Sequence, residues 1–223
     1  MAAQSTPAHP AIMEAELQST NKAAVSPIPP PLFTTNRLII RPMHPQDAQS
    51  MAFNANNPLV TKYMSLAFAN PSYTLDHAET WISMNITAPH QNNFVICESS
   101  SIEIVIGGIG LKPGADVNSH TAEVGFWIGE AYWGKGYTTE VLDAFTNWSF
   151  EKWEKDGQRL RRLWGGVFGG NLASMRCFEK CGYSREGVLK EHCEKWGEVL
   201  DMHIFGLTKR HWEKRVSEIF NNR

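Results

Sequence analysis

Trp133-Gly134-Lys135-Gly136-Tyr137-Thr138 lies between a strand-like run, Thr121 to Gly129, and a helix-like run, Thr139 to Trp153. Glycines at alternate positions permit main-chain conformations closed to other residues and keep side chains away from a ligand. The helix that follows offers unpaired N–H groups and the positive end of its dipole to an anion. The loop has room for a diphosphate. An ordinary tight turn shows the same Gly-x-Gly pattern, so the loop alone leaves both readings open. It lacks the Gly-Lys-Ser/Thr ending of a nucleotide P-loop. Thr139 stands where the dinucleotide fingerprint has its third glycine.

Outward from the loop, the pattern alternates. Upstream, Arg37 to Met43 reads as a strand and Pro45 to Asn56 as a helix. A second helix begins near Asp76, with Glu79 completing a capping box and Trp81, Ile82 and Ile86 turned inward. Asn93 to Ser99 and Ile102 to Leu111 read as a hairpin. Downstream, Val141, Leu142, Phe145, Trp148 and Trp153 repeat at helical spacing. Leu160 to Phe168 is the next strand. Asn171 caps a helix running to Lys180, which Gly182 ends, and strands follow at Gly187 to Cys193 and Val199 to Leu207. The expected class is α+β: a mixed, mostly antiparallel sheet with helices on both faces. Residues 1–32 hold six of the twelve prolines and are expected to be a disordered tail. Residues 33–223 are expected to form one domain.

Composition narrows the function. Hydrophobic residues make up 42% of the 223 and charged residues 20%, the mixture of a globular chain. A formal net charge of −2 gives no reason to expect nucleic acid or an anionic membrane as partner. Arg159, Arg161 and Arg162 form one basic cluster, read as a solvated strand edge or as a contact for an extra ligand phosphate. Cys177 and Cys181 lie one helical turn apart with no second pair at zinc spacing, so reduced thiols and no metal are expected. His120, His192 and His203 are scattered. No apolar run approaches the roughly 20 residues of a membrane helix, and the N-terminus carries no basic-then-apolar start. A cytoplasmic or nuclear location is expected; monomer and homodimer are equally open.

Asn171-Leu172-Ala173-Ser174-Met175-Arg176-Cys177-Phe178-Glu179-Lys180-Cys181-Gly182-Tyr183 supplies a second segment: glycine loop, helix, strand, then an Asn-capped helix ending in Gly-aromatic. In this order the chain resembles the GNAT superfamily of acyl-CoA N-acyltransferases. It looks most like the branch that includes the ribosomal-protein N-terminal acetyltransferases. Trp133 to Thr138 corresponds to that family's loop for the coenzyme A pyrophosphate. Asn171, Ser174, Phe178, Lys180, Gly182 and Tyr183 match its later segment, and Thr35-Asn36-Arg37-Leu38 with Arg41-Pro42 match its start. The resemblance spans residues 33–213 and implies a central twisted sheet of about seven strands. Two positions depart from the pattern: Trp133 replaces an Arg or Gln, and Thr138 replaces a small residue. Phe178 occupies the position of the family's leaving-group acid, often a tyrosine, and a phenyl ring has no proton to give.

The resemblance implies acetyl-CoA as cosubstrate and a primary amine as acceptor, a small molecule or a protein N-terminus. An ammonium of pKa about 10.4, or an α-amino group of about 7.7–8.0, must first lose a proton. Glu123 is the candidate general base, through water, unless it is an edge-strand carboxylate facing solvent. Glu140 is its rival, or merely complements the helix dipole. A main-chain N–H around Phe126, Trp127 and Ile128 is the oxyanion donor that the family implies. Ser174, four residues before Phe178, is a candidate hydrogen-bond donor to the leaving sulfur. Asn171 and Phe178 are counted with the loop residues as coenzyme contacts; Asn171 also reads simply as a cap. Tyr183 reads mainly as packing, and Trp164 and Trp196 are candidates for the acceptor side. Cys177 and Cys181 lack a partner base, which favours direct transfer over a covalent enzyme intermediate. A non-catalytic acyl-CoA sensor is the competing reading, kept open by Phe178.

Overall fold

In the computed structural model, which describes residues 26–68 and 72–221, alternating strand positions feed two separate apolar cores. The chain runs β1 (Phe33–Thr34), β2 (Leu38–Pro42), a 3-10 turn (Pro45–Asp47), α1 (Ala48–Ala55), α2 (Pro58–Thr61), α3 (Leu75–Ile86), β3 (Asn93–Glu98), β4 (Ser101–Pro113) and β5 (Thr121–Ile128). There follow α4 (Tyr137–Glu151), a small hairpin of β6 (Glu154–Lys155) and β7 (Gln158–Arg159), β8 (Arg162–Phe168), α5 (Leu172–Lys180), β9 (Ser184–Lys195), β10 (Glu198–Thr208) and α6 (Lys209–Asn221). Eight strands form one sheet in the order β1-β2-β3-β4-β5-β8-β10-β9. Every neighbouring pair is antiparallel except β5 and β8, which α4 connects as a parallel crossover. The sheet exceeds the expected seven strands. The mixed, mostly antiparallel architecture is as expected, and helices cover both faces.

One core joins Leu38, Ile40, Phe94, Ile96, Ala122, Val124 and Ile128 to Val141, Leu142 and Phe145 of α4 and Phe178 of α5. The other joins Val95, Cys97 and Val105 to Met51, Ala55, Ala78 and Ile82 of α1 and α3. Three details differ from the sequence reading. The cap of α3 is Thr74, whose hydroxyl accepts from the N–H of His77, and His77 rather than Glu79 completes the box. Ile82 is buried, but Ile86, at the last turn, is 38% exposed. Helix α6 has no counterpart in the sequence reading, because Lys, Arg and Glu dominate its surface. It docks through Trp212, whose Nε1 donates to Asn147 Oδ1 at 2.7 Å.

Residues 1–25 of the expected tail lie outside the described residues. Of the remainder, Leu32 donates its N–H to the Ile40 carbonyl at 2.7 Å, and the Ser26 hydroxyl lies 3.0 Å from His44 Nε2. Among the described residues, no helix is long and apolar enough to cross a membrane. Nor is any group of three or more His, Cys, Asp or Glu among the described residues placed to hold a metal ion.

Two buried cations fasten the second core. Arg41 is fully buried and makes a bidentate pair with Asp47 at 2.7 and 2.9 Å, while its remaining N–H groups reach the Ile102 and Pro42 carbonyls. Asp47 in turn accepts from the main chain of His44 at 2.7 Å. Lys195, at the end of β9, points its ammonium at three carbonyls, those of Thr61, Lys62 and Met64. It thereby ties the β9–β10 hairpin to the segment after α2. Phe68 of that segment meets Trp127 edge-on at 5.9 Å. Replacing Asp47 with alanine strands the Arg41 charge, and we expect a loss of about 3–5 kcal/mol in urea unfolding.

Candidate active site

Strands β5 and β8 share only three residue pairs, Thr121–Arg162, Ala122–Leu163 and Glu123–Trp164. Beyond them β5 stays on β4 as far as Ile128, while β8 stays on β10 as far as Phe168. Each strand follows its antiparallel partner, and the parallel contact opens into a slot in mid-sheet. From Val124 onward the slot side of β5 has no β8 partner, so the Phe126 to Ile128 main chain borders the opening.

Phe178 of α5 is the wedge beneath that slot. Its ring is 2% exposed, stacks 5.6 Å from Phe205, and lies 5.4 Å from Phe126 and 5.1 Å from Tyr183. The tip of the ring seats on Gly165 of β8, where any Cβ would collide with it. Phe178, expected among the coenzyme contacts, is thus enclosed by core. Tyr183 is likewise buried, with its hydroxyl 2.8 Å from Thr146 Oγ1 and its pKa pushed up by burial.

Ala122, Val124 and Ile128 face α4 and α5, with Phe126 packed beside them. Glu123 and Trp127, at the intervening positions, face the opposite side, where Trp127 packs on the α1–α3 core. Since β5 is interior to the sheet, Glu123 is no edge-strand carboxylate. It is half-buried at the closed end of the slot, opposite Lys112 of β4 and beside Trp164 of β8. Burial raises its pKa above the ordinary carboxylate value, and the Lys112 charge partly offsets this.

The glycine loop occupies the α4 side. Gly134 and Gly136 hold φ of +74° and +77°, the left-handed region in which other residues are strained. Gly136 is the N-cap of α4, and no side chain caps that helix, so its first N–H groups stay available. Trp133, in place of the family's polar residue, anchors the loop by donating its Nε1–H to the Ile128 carbonyl at 2.9 Å. The Lys135 ammonium lies 5.0 Å over the Tyr132 ring and 5.7 Å over Tyr137. Tyr137 donates its hydroxyl to Glu98 at 2.7 Å. Thr138 is half-buried in the first turn of α4.

Helix α5 closes the arrangement. The Asn171 side chain accepts from the Ser174 N–H at 3.2 Å, a true cap. Ser174 is half-buried on the stripe of α5 that carries Phe178, one turn nearer the N-terminus. Thr139 touches Cys177 at 3.6 Å, joining the two helices. Thus the loop leads into α4, α5 with Asn171 and Ser174 at its start packs against α4 on the same side of the sheet, and Glu123 lies on the other side.

Several groups are occupied elsewhere. Glu140 accepts from Thr35 Oγ1 at 2.5 Å and from Arg37 Nε at 2.7 Å, contacts that lower its pKa despite partial burial. That carboxylate is engaged in a cluster with Thr35 and Arg37. Arg162 pairs with Glu186, and Arg159 with Glu154, so two of the three basic-cluster charges are already matched. Trp196 is 45% exposed at the β9–β10 turn, under the Lys195 ammonium. The contributions of Arg37, Lys112 and Lys195 escaped the sequence reading; each acts across elements far apart in the chain.

Residues 37–184 match the family described as the acetyltransferase (GNAT) domain. The chain belongs to the GNAT acetyltransferase family. This GNAT enzyme is 27% identical to the uncharacterized N-acetyltransferase p20 of Bacillus licheniformis over 80% of the chain and 96% of that relative. Its fold superposes on spermidine N-acetyltransferase from Vibrio cholerae in complex with CoA and spermine (TM-score 0.66, 20% identity, 80% and 99% of the two chains). It superposes equally on the ribosomal L7/L12 alpha-N-protein acetyltransferase RimL in complex with coenzyme A (TM-score 0.65, 16% identity, 80% and 98%). These likenesses establish the fold and an N-acetyltransferase, without singling out the ribosomal-protein branch.

The residues present fit a coenzyme A diphosphate. Two left-handed glycines leave the loop unobstructed, with open space where a Gly134 Cβ would stand, and they lead into an uncapped helix N-terminus. Phe178 in place of tyrosine no longer argues for a binding module, because the ring is a wedge. A tyrosine hydroxyl there would project from the ring tip into the Gly165 backbone. We therefore expect Phe178→Tyr to lower stability by about 1–3 kcal/mol, read by thermal unfolding, with no gain in turnover.

Proposed function

We propose that this enzyme acetylates a primary amine from acetyl-CoA by direct attack within a ternary complex. The supporting observation is the slot between β5 and β8, with an uncapped anion site on one face and a half-buried carboxylate at its end on the other. Acetyl-CoA supplies the activated acyl carbon. Gly134 to Thr138 and the first turn of α4 hold the diphosphate, and Asn171 borders the pantetheine path. A main-chain N–H between Phe126 and Ile128 faces the negative charge that develops on the acyl oxygen, an orientation fixed before reaction.

Glu123 takes the proton of the acceptor ammonium through water. Its raised pKa brings it nearer the amine it must deprotonate, while Trp164 and Trp127 present aromatic surface on the same face. Ser174 donates to the departing sulfur. A cysteine route is disfavoured: Cys181 is fully buried, and its thiol is pushed up to about 12. The acceptor is a primary amine, a small molecule or a protein N-terminus.

Two experiments bear on this reading. Gly136→Trp fills the loop and should weaken acetyl-CoA binding by more than about tenfold in calorimetry. Gly136→Ala serves as the control for backbone strain alone. Equal affinity in the tryptophan variant would remove the loop from the site. Separately, the acid limb of kcat/KM should lie above the usual carboxylate range. Glu123→Gln should abolish that limb and cost about a hundredfold in kcat. Lys112→Met removes the one opposing charge, so the limb should move to higher pH.

A further inference from the structure

Arg37 lies in the turn between β1 and β2, about a hundred residues before the glycine loop, yet it is the loop's main tertiary contact. One terminal nitrogen donates to the Lys135 carbonyl at 2.9 Å. Nε donates to Glu140 Oε2 at 2.7 Å, and the other terminal nitrogen lies 2.6 Å from the same oxygen. The Arg37 N–H reaches Glu140 Oε1 at 3.1 Å, and the guanidinium stacks 4.6 Å over Tyr137. Thr35 completes the cluster through its hydroxyl.

We propose that Arg37 is a positioning residue for the coenzyme: it fixes the orientation of the Lys135–Gly136 peptide and neutralises Glu140 beside the anion site. The proposal depends on the loop reading above. A trans peptide is planar, with C=O and N–H on opposite sides. Holding the Lys135 carbonyl toward Arg37 turns the Gly136 N–H the other way, away from the guanidinium. Without that bond, a peptide that leads into Gly136, with Gly134 one residue before it, has added freedom to rotate, and each anion bound must first order it. The second effect is electrostatic. Glu140 stands in the first turn of α4, where a free carboxylate would repel a diphosphate held at the same terminus. The Arg37 charge cancels it without occupying the loop.

Bidentate geometry explains why lysine is a poor substitute: an ammonium is a point charge and cannot span a carbonyl and a carboxylate in one plane. Arg37→Ala should raise the acetyl-CoA KM and Kd about tenfold, while kcat at saturating acetyl-CoA stays within about twofold. Arg37→Lys should recover part of the loss. In the Arg37→Ala background, Glu140→Gln removes the uncompensated charge and should recover part of the affinity. An unchanged KM in Arg37→Ala, or a fall in kcat with KM unmoved, overturns the proposal. A double variant no better than Arg37→Ala also overturns it, in favour of direct phosphate contact by Arg37. If Gly136→Trp abolishes binding while Arg37→Ala does not alter it, only the role of Arg37 fails. If Gly136→Trp has no effect, the loop assignment itself fails.

Discussion

A parallel strand pair that stops after three residues is the constraint from which the site follows. Had β8 kept to β5 along its length, the sheet would be continuous and Glu123 would be one more covered polar residue. The strands diverge because each remains bonded to an antiparallel neighbour, and the divergence is filled from one side by Phe178. The wedge and its socket depend on each other: the ring fits because residue 165 has no side chain. An aromatic residue at the position where the family often has its leaving-group acid thus acts here as packing, and the seat on Gly165 leaves no room for a hydroxyl at the ring tip.

The two candidate carboxylates show how position sorts chemically identical groups. Glu140 is ringed by a guanidinium, a hydroxyl and a main-chain N–H, all of which favour its charged form. Glu123 is half-buried with one lysine opposite. The first is committed to holding the α4 terminus together; burial lifts the second above the ordinary carboxylate pKa. The difference arises from sheet register and from the β1–β2 turn, neither of which appears in local sequence around either residue.

Much of the fold was legible because it is written in short-range patterns. Helical spacing at Val141, Leu142 and Phe145 located α4, and Asn171 with Gly182 bounded α5. Positions of element ends were less legible where two caps compete, as with Thr74 and Asp76. Helix α6 was missed because Trp212 and Val216, one turn apart on its inner face, are set among lysines, arginines and glutamates. At the site, the loop and the Asn-capped helix could be read from glycines and caps. The burial of Phe178, the pairing of Glu140 with Arg37 and the placement of Lys112 opposite Glu123 could not, since each depends on which strands lie side by side.

Lys195 contacts the segment after α2 only through main-chain carbonyls. Three acceptors in that arrangement require a group with three protons, which fixes the anchor but places no demand on the side chains it anchors. That anchor makes no use of the Lys62 and Met64 side chains, while the Tyr63 hydroxyl adds its own contact with the Gly170 carbonyl at 3.4 Å. Side chains at positions 62 and 64 can therefore change without loosening the segment from the β9–β10 hairpin.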